Sequence, residues 1–342
     1  MSWRRALVSI IPEHRWVSTL SLALARGGAV VFMLHRVLPR ETVTYDNELV
    51  TSADLFEALV NWLAAEFEIV SLEEISERIE ERKSLKRACA LTFDDGWLDN
   101  YTHAFPVLRK AKTPATIFLA SGYIGSTRRL WQEKLWYLLK NSSGHYVERF
   151  ATDWSAECYV SLVNNRKRDF VGWRAWLLNL GSDRAEDFVD KLEKAVGNSS
   201  IPRERTFMSW DEIREMHGAG VEFGAHTVNH VFLPRATMDE VRSEIAQSCN
   251  TIERQTGAAV TGFAYPWGAL TSSIRDCVES AGLKYAVGIQ PGAVHADTNK
   301  YLLPRIFVAT SVLGSSKGFS SVQTALYVAS QCVKRCDRAH SY

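Results

Sequence analysis

The sequence lacks several features that would place it in a particular class at once. It has no run of about 18 uninterrupted apolar residues, the length that a membrane-spanning helix needs. Its formal net charge is only +1 over 342 residues, so no overall field draws the chain to nucleic acid. Its six cysteines are scattered without a C-x-x-C pair, which indicates packed, reduced thiols rather than a disulfide framework. We therefore expect neither a membrane span, nor nucleic-acid binding, nor a small disulfide-bonded module.

The bulk composition is that of a globular protein with a sizeable core. Hydrophobic residues make up 46% and charged residues 23% of the chain. A chain of this length holds one large domain or one domain with a substantial insertion. We predict an N-terminal segment over residues 1–27, a main domain over residues 28–315, and a C-terminal helix or tail over residues 316–342. The sequence does not indicate an oligomeric state.

The N-terminal segment carries two apolar stretches, residues 6–11 and 16–25, after a pair of arginines. This order, with a small-residue end at residues 23–25, resembles a signal peptide, but the charged residues 13–15 interrupt it. We interpret the segment as an amphipathic helix that packs on the domain or makes peripheral contact with a membrane. We accordingly expect the protein in the cytoplasm or at the inner membrane, with export through an N-terminal signal as the alternative.

Seven short apolar runs alternate with helical patterns along the main domain. Such alternation is typical of a parallel sheet with helices outside it. Runs that are apolar on both faces, and partly β-branched or aromatic, indicate buried parallel strands. The runs are Ala29–Leu34, Cys89–Phe93, Ala115–Ala120, Val221–Ala225, Thr261–Tyr265, Tyr285–Ile289 and Ile306–Ala309. We predict an α/β fold, namely an incomplete or distorted (β/α) barrel of about seven parallel strands.

Helix starts are also readable, and one segment departs from the strand–helix rhythm. Ser71, Ser209 and Thr237 each begin the S/T-x-x-E pattern of a capping box. Residues 125–204 hold five tryptophans, many charges and no clear strand, with helical patterns near residues 132–140 and 183–196. We predict a helical insertion there. It either shapes a substrate cleft or is a plain packing subdomain.

Polar side chains fall where the predicted strands end. Asp94 and Asp95 follow one strand, His226 to His230 follow another, and His35 follows the first. Because the carboxyl ends of parallel strands converge on one rim of a barrel, these side chains are expected to lie together. That rim is where such folds place their active sites.

The two histidines and two aspartates suggest a metal centre with a base beside it. His226 and His230 are four residues apart, so a turn can direct both imidazoles at one ion. One aspartate would complete a two-histidine, one-carboxylate set, and the other would act as a general base. The plainer alternatives are hydrogen-bonded surface histidines and an Asp-Gly turn with capping aspartates. Placement of both groups after buried strands favours the metal centre.

Three motifs then carry a family resemblance. Thr92–Gly96, His226–His230 and Phe263–Gly268 resemble successive motifs of the polysaccharide deacetylases, the NodB-homology family or carbohydrate esterase family 4. The resemblance extends over residues 28–124 and 205–310, and the early residues are similar to the subgroup that makes bacterial exopolysaccharides. It covers neither the insertion nor the two ends.

The resemblance implies a role for each matching residue. It implies that Asp94 is the general base, and that Asp95, His226 and His230 are the metal ligands. Arg305 matches the arginine that pairs with the base. The segment Tyr265, Pro266 and Trp267 matches the one whose backbone N–H binds the oxyanion and substrate, although the family usually has tyrosine where Trp267 stands.

The general acid is less plainly marked. The family commonly places its acid histidine after the arginine motif, where only His295, in a Gly/Ala/Asp-rich loop, is available. In the exopolysaccharide subgroup the corresponding strand comes first, and Met33-Leu34-His35 resembles it. We take His35 as the candidate acid and keep His295 as the alternative; a core or capping histidine is the plainer interpretation of both.

The implied activity is hydrolysis of an acetyl amide. One divalent ion, Zn²⁺ by preference with Co²⁺, Mn²⁺, Ni²⁺ or Fe²⁺ as alternatives, would polarise the acetyl carbonyl and activate water. The expected substrate is an N-acetylated glycan (polysaccharide, oligosaccharide or glycolipid), and the products are acetate and a free amino sugar. An O-acetyl esterase, a non-sugar amidase on the same site, and a non-catalytic sugar-binding protein are the alternatives.

Overall fold

The computed structural model describes residues 27–42, 44, 46–141, 170–196, 201–315 and 318–333, together with residues 23, 147, 150, 151 and 154. The predicted amphipathic N-terminal segment therefore lies almost wholly outside the described residues. The same is true of Cys158, Cys336 and the last residues of the predicted tail. The described cysteines, Cys89, Cys249, Cys277 and Cys332, are free thiols.

Twelve strands are present in the described chain. In chain order they are β1 Val30–Leu34, β2 Arg36–Leu38, β3 Val50–Ser52, β4 Glu68–Ile69, β5 Ala88–Phe93, β6 Thr116–Leu119, β7 Glu222–Ala225, β8 Gly262–Ala264, β9 Tyr285–Val287, β10 Ile306–Phe307, β11 Gly314–Ser315 and β12 Gly318–Phe319. Seven of them form one parallel sheet in the order β10-β1-β5-β6-β7-β8-β9, and β4 also pairs with β5. The pairs β2–β3 and β11–β12 stand apart from this sheet. The predicted set of seven parallel strands is confirmed.

Eleven α-helices accompany the strands in the part of the chain that the structure describes. They are α1 Ala53–Glu66, α2 Leu72–Glu80, α3 Phe105–Ala111, α4 Trp131–Asn141, α5 Phe170–Leu180, α6 Ser182–Val196, α7 Trp210–Gly218, α8 Met238–Thr256, α9 Ser272–Ser280, α10 Thr310–Leu313 and α11 Ser321–Cys332. Ser71 caps α2, and reciprocal capping boxes at Ser209 and Thr237 begin α7 and α8, as predicted.

The strands are buried on both faces, which explains their continuous apolar sequence. Every residue of β1 and of β5 is buried, and the two strands pair in parallel with Phe32 beside Leu91. Full burial of a side chain such as Leu91 contributes about 1.5–3 kcal/mol. Leu91→Ala would therefore cost about 2–5 kcal/mol once the cavity is included.

The barrel is incomplete because its last two strands, β9 and β10, do not share a ladder within the described residues. The chain between them fills the gap. Leu303 bridges Val287, and the N–H of Gly288 donates to the Leu303 carbonyl at 3.0 Å. Arg305 follows directly and donates its backbone N–H to the Gln290 carbonyl at 2.9 Å. The predicted incomplete barrel is thereby confirmed, with its seam just before β10.

The insertion has a hydrophobic core of its own, built from α4, α5 and α6. Trp131, Trp173 and Trp176 are buried within it, beside Phe188. Tryptophan in the insertion is thus mainly core. The helices at residues 132–140 and 183–196 appear as predicted, whereas α5 was not predicted. The insertion core also packs against Trp267 of the barrel, with the Trp131 and Trp267 rings stacked at 6.5 Å.

The C-terminal helix α11 packs on the barrel. Its Tyr327 hydroxyl donates to the Phe307 carbonyl of β10 at 2.8 Å, and Ala325 and Val328 join the main core. The β11–β12 hairpin spans the boundary that we placed at residue 315. Among the described helices, we find none with both the length and the apolar character to cross a membrane.

Candidate active site

The sheet places the polar residues together as expected from its parallel topology. Asp94 follows β5, and its backbone N–H donates to the Leu34 carbonyl at the end of β1. The N–H of His226, which follows β7, donates to the Leu119 carbonyl at the end of β6. Hydrogen bonding of the strands therefore continues one residue into the site and fixes the backbone of both residues.

Asp95, His226 and His230 form a buried cluster with the geometry of a metal site. One ligand atom from each lies within 4.8 Å of the others. Asp95 Oδ1 is 3.4 Å from His226 Nε2 and 3.3 Å from His230 Nε2. Carboxylate oxygen and imidazole nitrogen are ligands for Zn²⁺ and its neighbours.

Hydrogen bonds on the far side of Asp95 and His226 orient these two groups. His226 Nδ1 lies 2.7 Å from the Ala264 carbonyl, so Nδ1 carries a proton and Nε2 is the nitrogen that faces Asp95. The Trp97 indole N–H donates to Asp95 Oδ2 at 2.8 Å, which leaves Oδ1 facing the histidines. Outer partners of this kind are typical of metal ligands, and the donor set therefore fits a divalent ion.

The electrostatics of the cluster also suit a metal ion. Burial would raise the pKa of Asp95, but the His226 hydrogen bond and the neighbouring histidine charges outweigh it and lower that pKa. Burial lowers the pKa of His230 to about 4. Burial also acts to lower the pKa of His226, but Asp95 and Asp94 outweigh it and raise that pKa. A metal would therefore displace a proton from His226, since a deprotonated carboxylate and a neutral imidazole are the protonation states that bind a metal.

Asp94 lies beside this cluster and is held by Arg305. The Arg305 guanidinium donates to Asp94 Oδ1 and Oδ2 at 2.7 Å each, and both side chains are buried. Arg305 also donates to Thr92 Oγ1 at 3.2 Å and to the Gly288 carbonyl at 2.7 Å. Burial alone would raise the pKa of Asp94, but the charge and hydrogen bonds of Arg305 lower it.

The structure separates the two candidate acids. His35 Nε2 is 3.9 Å from Asp94 Oδ2, at the carboxyl end of β1. His295 lies against Gly28 at the opposite end of the same strand, next to the Val294–Ala29 bridge. The strand rise puts the two histidines roughly 20 Å apart. Only His35 is brought to the site.

The third motif meets the cluster at a kinked turn, Pro266–Gly268. The Tyr265 hydroxyl is buried and donates to the Tyr301 carbonyl at 3.0 Å, so it serves the core rather than the site. Pro266 has no N–H, which leaves the Trp267 amide as the donor that this segment offers. The Trp267 ring lies 5.5 Å from the His230 ring. Trp267 itself has a left-handed backbone, with φ of 62°.

Backbone strain is concentrated around the site. Seven non-glycine residues among those described have positive φ, and four of them adjoin the cluster: Asp95, Thr227, His230 and Trp267. Such conformations cost on the order of 1–3 kcal/mol each and persist where surrounding contacts enforce them. Glu244 of α8 supplies such contacts, since its carboxylate accepts the N–H groups of Val228 and Asn229 at 2.7 and 2.9 Å.

Several residues that shape the site were not found from the sequence. Trp97, Glu244 and the pair Asp99 and Asn100 hold residues of the site or of its loops through side-chain hydrogen bonds. Glu244 sits on an ordinary amphipathic helix, and its sequence position carries no signal. Asp99 and Asn100 follow the Asp-Asp-Gly turn closely. Two polar residues so near the aspartate motif were the one signal in the sequence that they support the site.

Comparison with solved structures bears out the fold. The chain aligns with IcaB from Ammonifex degensii at a TM-score of 0.56 and 21% identity, over 89% of this chain and 97% of that one. Among sequences, YxkH of Bacillus subtilis (strain 168), which bears the name of a polysaccharide deacetylase, is 22% identical over 284 residues, 82% of this chain and 74% of that protein. A poly-beta-1,6-N-acetyl-D-glucosamine N-deacetylase of Staphylococcus aureus (strain MSSA476) is 21% identical over 268 residues, 75% of this chain and 67% of that protein.

The incomplete (β/α) barrel and the buried cluster at its rim together define a hydrolytic enzyme. The polysaccharide deacetylase family profile matches residues 81–286, and the chain belongs to that family. The predicted family and the prediction of a carbohydrate deacetylase are confirmed. The match spans both the aspartate and the histidine motifs.

Proposed function

We propose that this protein removes N-acetyl groups from an N-acetylated bacterial surface glycan, releases acetate, and uses one divalent metal ion. The observation that carries the proposal is a base held ionised by Arg305 directly beside the Asp95, His226 and His230 cluster. The named activity of the Staphylococcus aureus relative, an N-deacetylase of poly-N-acetylglucosamine, supports an amide over an ester. The family match does not distinguish between a polysaccharide, an oligosaccharide and a glycolipid as the substrate.

Asp95, His226 and His230 would hold the ion, which when bound polarises the acetyl carbonyl and makes a nearby water more acidic. Zn²⁺ is the proposed ion, although this donor set also admits Co²⁺, Mn²⁺, Ni²⁺ and Fe²⁺. His226 and His230 contribute neutral nitrogens and Asp95 contributes one charge. A net positive charge therefore remains on the site to stabilise a developing oxyanion.

Asp94 is the general base in this proposal. It removes a proton from the attacking water, and its lowered pKa keeps it ready to accept that proton across the neutral range. Arg305 fixes both carboxylate oxygens, so the lone pair that receives the proton points into the site. The Trp267 N–H is the backbone donor to the oxyanion.

His35 is the general acid. As the carbon–nitrogen bond breaks, His35 Nε2 gives its proton to the departing amine, which otherwise leaves as a strongly basic anion. The separation of 3.9 Å between His35 Nε2 and Asp94 Oδ2, on adjacent strand ends, supports an acid and a base that act on the same acetyl group. One water is consumed in each turnover. Its oxygen becomes one of the two oxygens of acetate, and its two protons convert the amide nitrogen to the ammonium group of the product.

The test is acetate release by the purified protein, measured with and without chelator. Substrates are oligomers of β-1,6-linked N-acetylglucosamine, chitin oligomers, an N-acetylated glycolipid and an O-acetylated xylan. We expect activity on an N-acetyl substrate that chelator abolishes and metal restores. Asp94→Asn should lower kcat by about 10²–10⁴-fold, and Asp239→Asn, at a highly exposed aspartate, should not.

Three outcomes would contradict parts of the proposal. Release from the O-acetylated substrate alone would replace the amide with an ester. Sugar binding without turnover by metal-loaded protein would make the chain a binding protein. Full activity of Asp94→Asn would remove the assigned base.

A further inference from the structure

The loop that carries Asp94 and Asp95 also holds the backbone around His35. Five residues beyond Asp95, the Asn100 side-chain amide donates to the His35 carbonyl at 2.8 Å. Its neighbour Asp99 accepts the Val37 N–H at 2.8 Å and the Arg36 Nε–H at 2.9 Å. These three hydrogen bonds, here termed the His35 clamp, fasten consecutive residues 35–37 to the aspartate loop.

The His35 clamp is buried and irregular. Asn100 is 0% exposed and Asp99 is 3% exposed. Residues Asn100–Ala104 form a π-helical turn, a rare geometry that occurs most often at functional sites. Burying a carboxylate and an amide is costly unless each makes hydrogen bonds. The Asn100 bond here goes to the backbone of His35, and the Asp99 bonds go to the Val37 backbone and the Arg36 side chain.

The imidazole of His35 has little else to orient it. Its Nδ1 is buried and meets no hydrogen-bond partner in the part of the chain that the structure describes. Its Nε2 lies 3.9 Å from Asp94, beyond ordinary hydrogen-bond length, and its ring meets the edge of Phe307 at 6.3 Å. The position of the ring in the site therefore depends mainly on where the backbone holds the Cα and Cβ of His35.

We propose that Asn100 and Asp99 are positioning residues that hold His35 where it protonates the leaving amine. This inference rests on the proposed function, because only a strongly basic leaving group needs that proton. A loss of the His35 clamp would leave the metal cluster, Asp94 and Arg305 in place. The defect should consequently appear only in the step that expels the amine.

The experiment compares one variant on two substrates of different leaving group. Asn100→Leu removes the amide donor at similar volume. The substrates are an N-acetylglucosamine oligomer, which expels an amine, and para-nitrophenyl acetate, whose phenolate leaves without a proton. We expect kcat for the sugar to fall about tenfold or more with KM little changed, and the ester rate to change less than about twofold. His35→Gln should give the same pattern with a larger fall.

Two results would overturn the inference. Equal losses on both substrates in a folded Asn100→Leu protein of unchanged metal content would mean that Asn100 supports the whole site. Unchanged rates on both would mean that the His35 clamp does not act on the acid. If Asn100→Leu does not fold, Asp99→Asn, which keeps an acceptor for Val37 and removes the charge facing Arg36, carries the same comparison.

The failure of the proposed function is separately visible. It would appear in the unaltered protein as ester hydrolysis without acetate release from any N-acetyl sugar. The ratio of the two rates in the variant tests only the positioning of His35. Glu279→Gln, at an exposed glutamate of α9, serves as the control for substitution itself and should leave both rates unchanged.

Discussion

Arg305 grips Asp94 through both carboxylate oxygens, with two hydrogen bonds of 2.7 Å between residues 211 positions apart in the chain. Both side chains are withdrawn from water. A bidentate arginine–carboxylate pair is strong and directional, and it fixes the carboxylate in its charged form.

Arg305→Met should move the acidic limb of the pH–rate profile upward. In the intact protein the folded pKa of Asp94 is below its ordinary value of 3.8. The stability that this shift contributes is present above pH 3.8 and is lost as pH falls through the folded pKa. Without Arg305, only the smaller effects of His226 and His35 oppose burial, so that pKa rises and the base protonates at higher pH. The profile of kcat/KM against pH measures the shift.

The same variant should be less stable, because a buried carboxylate is left without its partner. Breaking such a pair costs about 3–5 kcal/mol, measurable by urea denaturation. Arg242→Met, at an exposed arginine, should alter neither property. An acidic limb that stays in place in folded Arg305→Met protein would show that Asp94 is not the group that titrates.

Metal removal should lower the thermal stability of the protein as well as abolish its activity. A ligand that binds only the folded state at 100 times its Kd stabilises it by about 2.7 kcal/mol. Chelator should therefore lower Tm, and His226→Gln should abolish the difference between chelated and metal-loaded protein. His103→Gln is the matched control and should keep the difference. A Tm that is indifferent to chelator in the intact protein would argue against a resident ion.

Glu244→Gln should weaken metal binding without touching a ligand. Glu244 accepts three hydrogen bonds from the loop between the two histidines: the N–H groups of Val228 and Asn229, and the Asn229 side-chain amide at 2.7 Å. Glutamine turns one acceptor oxygen into a donor that faces another donor. We expect metal affinity to fall about 10–100-fold in a competition titration, with kcat largely restored at saturating metal. Equal metal affinity in the two proteins would show that the loop keeps its conformation without Glu244.

Gly268→Ala and Gly257→Ala form a pair that separates steric effects from strain. Both glycines have positive φ, but an added Cβ at Gly268 would lie within 2.2 Å of the Ile289 side chain, and one at Gly257 meets nothing within 4 Å. Gly257→Ala should cost about 1 kcal/mol and leave kcat unchanged.

Gly268→Ala should cost more than about 2 kcal/mol and, by moving the Trp267 amide, lower kcat about 10²-fold. Thermal unfolding and acetate release measure the two effects. A normal kcat in folded Gly268→Ala protein would mean that the turn bearing Trp267 does not support the reaction.

Elements marked by local sequence were predicted, and elements formed by distant contacts were not. Seven of the eight sheet strands (all but the two-residue β4) and the caps at Ser71, Ser209 and Thr237 follow from short-range patterns. Helix α5 was missed because its sequence is apolar almost all round, so it shows no helical period. The β2–β3 pair was missed because its strands have three residues each and lie twelve positions apart in the chain.

The site divides in the same way. Residues at strand ends could be placed from topology alone, since parallel strands deliver their carboxyl ends to one rim. Topology alone could not decide between His35 and His295, because the decision depends on the end of the sheet at which each histidine lies. Trp97 resembled an ordinary core residue, and only the structure relates its indole N–H to Asp95.

The seam of the barrel has a consequence for how the enzyme comes into being. Arg305 lies directly before β10, which pairs with β1 from the beginning of the domain. Contacts between such distant segments close late in folding, since loop-closure entropy opposes them. During synthesis, the two aspartates and two histidines of the site are therefore made before Arg305. Asp94 therefore gains the arginine that favours its charged form only when β10 has paired with β1.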